Sequence, residues 1–176
     1  QIGYLTTEDV SILSSLQISG ISPNAVFGLS SDNIVVLSIL QVSAINSNAL
    51  TSINSNQITY FSTDEIIVLS SLQISAITDN TIIGLLTTQI NILLTSQISA
   101  LKIAKLLSSQ IISFATNQIN SLVSIQIPFI TTSSIVSLTT LQINAFNPIA
   151  ISNLSSAQIP ILLTSLTTNQ INNLVS

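Results

Sequence analysis

Apolar residues recur at two fixed places in a repeat of eight residues along this chain. In residues 69–76, L-S-S-L-Q-I-S-A, they are Leu69 at the first position and Ile74 at the sixth. Counted from Leu5, both positions are apolar in all twelve octads through residue 100, and the second position is Ser, Thr or Asn in ten of them. This register indicates a tandem repeat whose first and sixth residues face the core.

Each octad also carries the residues that start an α-helix. With Ser70 as N-cap, the hydroxyl can accept from the backbone N–H of Gln73, and the Gln73 side chain can reach back to the N-cap N–H as a capping box. Leu69 and Ile74 then stand at N′ and N4, where a hydrophobic staple forms. Five second positions in residues 85–126 are apolar, and there we expect the cap to move one residue on, to Thr or Ser. These positions are Leu86, Leu94, Leu107, Ala115 and Val123.

An octad cannot lie on one straight amphipathic helix, because eight residues at about 100° each leave the apolar stripe about 80° out of phase per repeat. We therefore predict an all-α fold, a solenoid of very short capped helices with one helix per octad. Pro23 and Pro148 fit this fold, since they fall at N1. Pro128 and Pro160 fall at the seventh position, so their octads should be cut short or form 3₁₀ turns.

A three-sided β-solenoid with 24 residues per coil is the alternative fold. Ile, Val and Thr favour strands, and residues 5–28, 29–52 and 61–84 align as units of three octads. Against strands, the first and sixth positions differ by an odd number and would face opposite sides of an unbroken strand. The repeat alone does not decide whether one coil holds two octads or three.

The repeat predicts one continuous array over residues 1–176, with octads from residue 5 onwards. The register slips at residues 101–105, a segment of five residues, and at residues 162–165, a segment of four. Neither segment is rich in Gly or in charge, so we interpret both as bulges or corners of the array rather than linkers.

The composition predicts a surface with very few charged residues. Apolar residues make up 47% of the chain and charged residues 5%, with a net charge of −4 and no Cys or His. Ser, Thr, Asn and Gln must therefore cover the core, and the weak charge repulsion favours association between copies. There is no basic footprint for nucleic acid. Mean hydropathy is +0.72, but the apolar runs are only a few residues long, so we expect no membrane span.

Few residues in the chain could bind a metal ion or an anion. Most acids fall at N2 or N3 of the expected helices, where they complement the helix dipole. They are Glu8, Asp9, Asp32, Asp64, Glu65 and Asp79. Alternatively, stacked Asp9, Asp32 and Asp64 could hold Ca²⁺ through oxygen ligands, although no D-x-D-x-D-G loop is present. Lys102 and Lys105 are interpreted as a solvated corner.

Nucleophilic catalysis lacks a base, because the many hydroxyls have no His or Cys to act with them. Gly-rich phosphate loops are missing as well. We predict that the chain is not an enzyme and has no catalytic residue, no cofactor-binding residue, no metal ligand, no cofactor and no small-molecule substrate.

The repeated L-[ST]-x-x-Q-I pattern occurs in residues 13–20, 69–76, 138–145 and 166–173. It resembles the L-T-x-x-Q-I/V tandem repeats of large bacterial surface and adhesin-like proteins, over most of the chain from Leu5. This chain is richer in Ile and Asn and poorer in Ala than those repeats. The resemblance implies an extracellular or cell-surface location and a structural or adhesive role, and it carries over no catalytic residue.

We therefore predict a structural subunit or segment of an extracellular fibre or surface layer, a homo-oligomer or polymer built by end-to-end stacking. The uncharged segments at residues 1–4 and 174–175 favour such stacking, since neither has a charged cap. The alternative is an adhesin stalk or an ice-binding surface. Ice binding would use rows of Thr such as Thr6-Thr7, Thr87-Thr88 and Thr139-Thr140.

Overall fold

The computed structural model describes residues 5–174, which form many short helices joined by turns and contain no strand. The all-α prediction is confirmed, and the β-solenoid is wrong. Short α-helices follow one another at the spacing of the octad. In chain order they are α1 Thr7–Ser11, α2 Ser15–Ser19, α3 Pro23–Phe27, α4 Ser31–Val35, α5 Ile39–Ala44, α6 Ser47–Leu50, α7 Thr63–Ile67, α8 Ser71–Ala76, α9 Asp79–Ile82, α10 Thr87–Asn91, α11 Thr95–Ala100, α12 Ser108–Ile112, α13 Thr116–Asn120, α14 Thr132–Val136, α15 Thr140–Asn144, α16 Pro148–Ile151, α17 Ile159–Leu162 and α18 Thr168–Leu174. Two 3₁₀ helices, Gln57–Tyr60 and Ile127–Phe129, occupy further octads.

The expected capping box is present at the start of many helices. At α8, the Gln73 backbone N–H donates to the Ser70 hydroxyl at 3.2 Å, and the Ser70 N–H donates to Gln73 Oε1 at 2.8 Å. Both bonds also occur at α1, α2, α5, α7, α15 and α18. The second octad position is therefore the N-cap, as the pattern predicts.

The prediction that an apolar second position moves the cap is wrong. Leu86, Leu94, Leu107 and Ala115 are themselves the N-cap residues of α10 to α13. Each has no side-chain oxygen, but its backbone N–H still donates to the fifth-position Gln, as at Leu86 with 2.8 Å. This half of the capping box depends only on the Gln, so the helix start stays in place when the cap side chain is lost.

The four prolines are accommodated in three ways. Pro23 and Pro148 are the first residues of α3 and α16, as expected. Pro128 lies within the 3₁₀ helix Ile127–Phe129, which confirms the prediction for that octad. Pro160 is the second residue of α17, which begins late, at the sixth octad position. Near a helix start the missing N–H of Pro costs no internal hydrogen bond.

Helices pack against helices three octads away. In the first half α2 contacts α5, α3 contacts α6 and α8 contacts α11. One coil therefore holds three octads, or 24 residues. This is the coil length of the β-solenoid alternative, but the sides of the coil are helices and not strands. We call the three sides A, B and C. They begin with the octads at Leu5, Leu13 and Ile21 and repeat in that order.

The two register slips are short sides of the solenoid. Residues 101–105 form side A of the fifth coil, so α10 contacts α12 and α11 contacts α13 at a spacing of 21 residues. Residues 162–165 close side C of the seventh coil, and α16 contacts α18 at a spacing of 20. The coils are residues 5–28, 29–52, 53–76, 77–100, 101–121, 122–145 and 146–165, with an eighth begun at residue 166.

The first and sixth residues of the octads form one continuous core. Every sixth-position residue from Val10 to Ile98 is buried, and the first-position residues are buried from Ile21 to Leu154. Leu5 and Leu13, in the first described coil, are half-buried against the same core.

Within residues 5–174, no helix is long and apolar enough to cross a membrane. The stacking prediction partly rests on residues 1–4 and 174–175, and all of these except Leu174 lie outside the described residues.

Candidate functional site

The fifth-position glutamines link each coil to the one before it. The side-chain Oε1 of Gln41 accepts from the Ser38 N–H at 2.7 Å, while its Nε2 donates to the backbone carbonyls of Val10 at 2.9 Å and Leu13 at 2.8 Å. Ten further glutamines in residues 5–174 donate in the same way to a first-position carbonyl of the preceding coil. They are Gln57, Gln73, Gln89, Gln97, Gln110, Gln118, Gln126, Gln142, Gln158 and Gln170.

These bonds satisfy the backbone groups left over at the corners. A first-position carbonyl such as that of Leu13 follows one helix and precedes the next N-cap, so no N–H of its own helices reaches it. Leaving such a buried acceptor unpaired costs about 1–3 kcal/mol. One buried amide thus serves both the N–H at the start of its own helix and a carbonyl below it. In the described part of the chain, no buried side-chain nitrogen or oxygen lacks a hydrogen-bond partner.

The glutamine side chain donates to the carbonyl at the corresponding corner of the preceding coil, even where the number of residues between them changes. Gln97 binds the carbonyls of Ile66 and Leu69, which are 31 and 28 residues earlier. After the short side at residues 101–105, Gln110 binds those of Ile82 and Leu85, only 28 and 25 residues earlier. The contact between coils is therefore the feature that every coil reproduces.

Other donors replace glutamine at several fifth positions. Asn33 Nδ2 donates to the Leu5 carbonyl at 3.1 Å, and the Thr81 hydroxyl donates to the Ile53 carbonyl. Where the fifth residue is Ala49, the N-cap Asn46 supplies the donor, and its Nδ2 lies 2.9 Å from the Ile21 carbonyl. Different side chains therefore reach the same corner carbonyl.

Glu65 departs from this arrangement. Its Oε2 accepts from the Ser62 N–H at 2.7 Å and from the Ser62 hydroxyl at 2.9 Å, so the capping box is complete. The side chain is buried like its glutamine counterparts. A carboxylate has no hydrogen to donate, and the corner carbonyl at Leu37 therefore lacks the bond that Gln41 and Gln97 give to theirs.

The remaining acids are helix caps and surface groups on two different sides. Thr6 donates from its hydroxyl at 2.7 Å and from its N–H at 3.0 Å to Asp9 Oδ2, and these bonds hold the pKa of Asp9 below its usual value. Asp9 and Asp32 lie on side A, whereas Asp64 lies on side B. The alternative of a stacked Ca²⁺ site is therefore wrong, and residues 5–174 contain no group of three His, Cys, Asp or Glu that could hold a metal.

The other residues singled out by sequence are also separated. Lys102 and Lys105 are exposed on the short segment of side A. The threonine pairs lie on three sides, Thr6-Thr7 on A, Thr87-Thr88 on B and Thr139-Thr140 on C, so they form no common row. A shallow cleft of about 340 Å³ lies between Asn120 to Ser124 and Asn147 to Ala150, and no titratable group lines it.

The sequence contained a signal for the link between coils. A capping box accepts Glu or Gln equally, because only the acceptor oxygen is used. The chain nevertheless has Gln at twelve fifth positions and Glu at one. That preference for an amide indicates a needed donor, although the sequence does not show which carbonyl receives the bond.

No family model matches this sequence, and neither a curated protein nor a solved structure matches the chain.

Proposed function

We propose that the chain is a structural repeat unit, a subunit or segment of an extracellular fibre or surface layer in which coils associate end to end. The glutamine contact between coils is the observation that carries this proposal. Each coil offers amide donors on one face and corner carbonyls on the other, so the contact is head to tail and does not close on itself. Any two such faces can dock as neighbouring coils do.

Gln17 illustrates an unpaired coil face. It makes the same cap bond as the other glutamines, from the Ser14 N–H at 2.8 Å, but it is exposed because the described residues place no coil beneath it. At the other end, the corner at Leu154 corresponds to Leu13 and Ile130, whose carbonyls accept from a glutamine of the next coil. Docking a second copy would satisfy both faces and bury Leu5 and Leu13.

The chemistry available supports a structural role over a catalytic one. The buried polar side chains are used in caps and coil contacts, and no three acids within residues 5–174 come together. An extracellular location is supported by the resemblance of the octads to repeats of bacterial surface proteins. The ice-binding alternative is not favoured, because its threonine pairs lie on three sides.

Electron microscopy and sedimentation of the 176-residue chain test end-to-end association. We expect filaments whose mean length rises with protein concentration. Gln17→Glu should shorten them, because the carboxylate keeps the cap bond but offers no donor to a carbonyl of the next copy. Asn117→Asp, which adds the same charge at an exposed site on side C, is the control. Monodisperse monomers of the unaltered chain over a wide range of concentration would overturn the proposal.

A further inference from the structure

The contact between neighbouring coils is weakest where the seventh coil lies on the sixth. Within residues 5–174, Gln158 is the only side chain of the seventh coil that donates to a carbonyl of the sixth. Its Nε2 lies 2.9 Å from the Ile127 oxygen and 2.6 Å from the Ile130 oxygen, on side B. Each of the five earlier junctions between coils has such donors on at least two sides.

Helix packing across this junction is reduced in the same way. Here α14 packs against α17, again on side B. Every earlier junction has elements packed on two or three sides, as α7 with α10 and α8 with α11 between the third and fourth coils. Ile159, the sixth-position residue of side B in the seventh coil, is half-buried, whereas its counterpart Ile135 in the sixth coil is buried. The junction therefore has fewer hydrogen bonds and less apolar packing than the others.

On side A, Ala150 takes the place of the glutamine that would link the two coils. Ala49 has the same octad position in the second coil, but there Asn46 Nδ2 donates to a corner carbonyl of the preceding coil at 2.9 Å. The residue that corresponds to Asn46 is Asn147, whose Oδ1 accepts from the Ile149 N–H at 2.9 Å. Within the described residues Asn147 makes no bond to the sixth coil, so the missing amide is not replaced.

The corner at Leu122 is the one left without a glutamine. The cleft of about 340 Å³ lies at this corner, between residues 120–124 and 147–150, and both Leu122 and Ala150 line it. On side C the seventh coil has only the four residues 162–165, so it supplies no fifth-position glutamine to the corner at Leu138. Side B therefore carries most of the contact between the sixth and seventh coils.

Residues 146–174 are better connected to one another than to the sixth coil. The helices α16 and α18 pack closely together. Gln170 Nε2 donates to the carbonyl of Phe146 at 3.0 Å and to that of Ile143, just before the segment begins, also at 3.0 Å. Ile151 and Leu162 are buried within the segment. These contacts favour loss of the segment in one step over gradual fraying.

We propose that residues 146–174 separate from the sixth coil as one unit while residues 5–145 stay folded, and that the array opens here before it opens elsewhere. Stacked repeats contact only their neighbours, so opening begins at the weakest junction. Position near one end is not the cause, because the first coil is joined to the second on all three sides. Opening makes the sixth coil the end of the folded array, with the Ile130 carbonyl available to a donor of another coil. It does not require end-to-end association.

Native-state hydrogen exchange of the 176-residue chain tests this unit. The Gln17→Glu background is used, so that contact between copies does not protect either end. We expect the slowest amides of α16, α17 and α18 to share one opening free energy and to exchange at least tenfold faster than those of α1 to α3. Equal protection of the two ends, or stepwise loss from α18 back to α16, would overturn the proposal.

A matched pair of alanine variants tests the cause. Ala150→Gln can accept from the Asn147 N–H and donate to the Leu122 carbonyl, and the cleft provides room for its side chain. We expect exchange in α16 to α18 to slow by about tenfold or more, with α1 to α3 unchanged. Ala49→Gln is the control, because Asn46 already serves that corner. Slowing of α16 to α18 by both variants alike would overturn the assignment of the junction.

Removal of the remaining donor gives a second test that needs no new contact. Gln158→Glu keeps the acceptor for the Ser155 N–H, as seen at 2.8 Å, but has no hydrogen for the sixth coil. Exchange in α16 to α18 should become about tenfold faster or more, while α1 to α15 keep their protection. Gln89→Glu, at a junction with donors on the other two sides, is the control and should release no separate unit. Equal acceleration of all helices by Gln158→Glu would overturn the proposal.

Discussion

At the scale of the residue, one amide performs two tasks in this fold. The Oε1 of Gln97 accepts from the Leu94 N–H at 2.7 Å, and its Nε2 donates to the Leu69 carbonyl at 2.6 Å. Both partners are backbone groups at corners, where no helical bond serves them. The side chain therefore joins the start of one helix to the corner of another coil. The acceptor Oε1 and the donor Nε2 can be tested separately, because a Glu carboxylate keeps the acceptor and removes the donor.

Gln97→Glu and Glu65→Gln should change stability in opposite directions. Gln97→Glu keeps the cap bond but loses the donor to Leu69 and buries an acceptor against it, which should cost about 2–3 kcal/mol. Glu65→Gln supplies the donor that the corner at Leu37 lacks and should add about 1 kcal/mol. Thermal unfolding followed by circular dichroism measures both, and a melting temperature lowered by Glu65→Gln would contradict the donor role.

Two glycines at the eighth octad position differ in what surrounds them. A Cβ at Gly84 would lie 1.9 Å from the Ser55 carbonyl oxygen in the coil below, whereas one at Gly20 would meet the carbonyl oxygens of Gln17 at 3.6 Å and Leu16 at 4.0 Å, which are ordinary van der Waals distances. We expect Gly84→Ala to destabilise by about 3 kcal/mol through overpacking and Gly20→Ala to be neutral or stabilising by up to about 1 kcal/mol. Chemical denaturation of both variants checks this, and equal midpoints would refute the close contact.

At the scale of the element, each helix is too short to be stable alone, and its ends matter more than its length. The complete capping box at α8 and the half box at α10 show that the fifth-position glutamine keeps the helix start even where the cap side chain is apolar. The helices with half a box have room for a further hydrogen bond, since their second-position side chains are exposed.

Ala115→Ser should complete the capping box of α13. Ala115 is exposed and is the N-cap residue, so a hydroxyl there can accept from the Gln118 N–H without displacing core atoms. We expect a gain of about 1 kcal/mol, and Ser70→Ala, which removes the equivalent oxygen from α8, should cost about the same. Melting temperatures provide the measurement. An unchanged melting temperature in Ala115→Ser would mean that the bond from the Ala115 N–H to Gln118 already gives the full stabilisation of the helix start.

At the scale of the whole molecule, stability should depend on complete coils rather than on the number of residues. Deleting residues 29–52 removes one whole coil, so the following octads can stack on residues 5–28 in the same register. We expect this variant to keep its helical circular dichroism with a modestly lower melting temperature. Loss of the helical spectrum would contradict the modular stack.

Deletion of α5, residues 39–44, is the matched comparison. It removes fewer residues but leaves only Leu37 and Ser38 to form a side of the second coil, without the core residue Val42 and the coil contact of Gln41. Two residues span at most about 7 Å, less than a side needs. This smaller deletion should therefore destabilise more than removal of the whole coil.

Much of the fold depends on residues that are close together in the sequence. The capping boxes that begin with Ser or Thr, the buried first and sixth positions and the proline positions in the first turns of α3 and α16 depend on residues within one octad, and the pattern alone predicted them. Interactions over three or four residues are set by helix geometry, so sequence spacing is enough to place them.

The tertiary structure decided what lies between octads. The three octads per coil, the separation of Asp32 from Asp64, the close approach at Gly84 and the second bond of Gln97 all depend on how the chain turns at each corner. Those turns bring together groups 24 to 31 residues apart, and the octad pattern is the same whichever number of octads closes a coil. The sequence by itself therefore determined the helices and their buried faces, while the stacking of coils determined which backbone carbonyl each glutamine reaches.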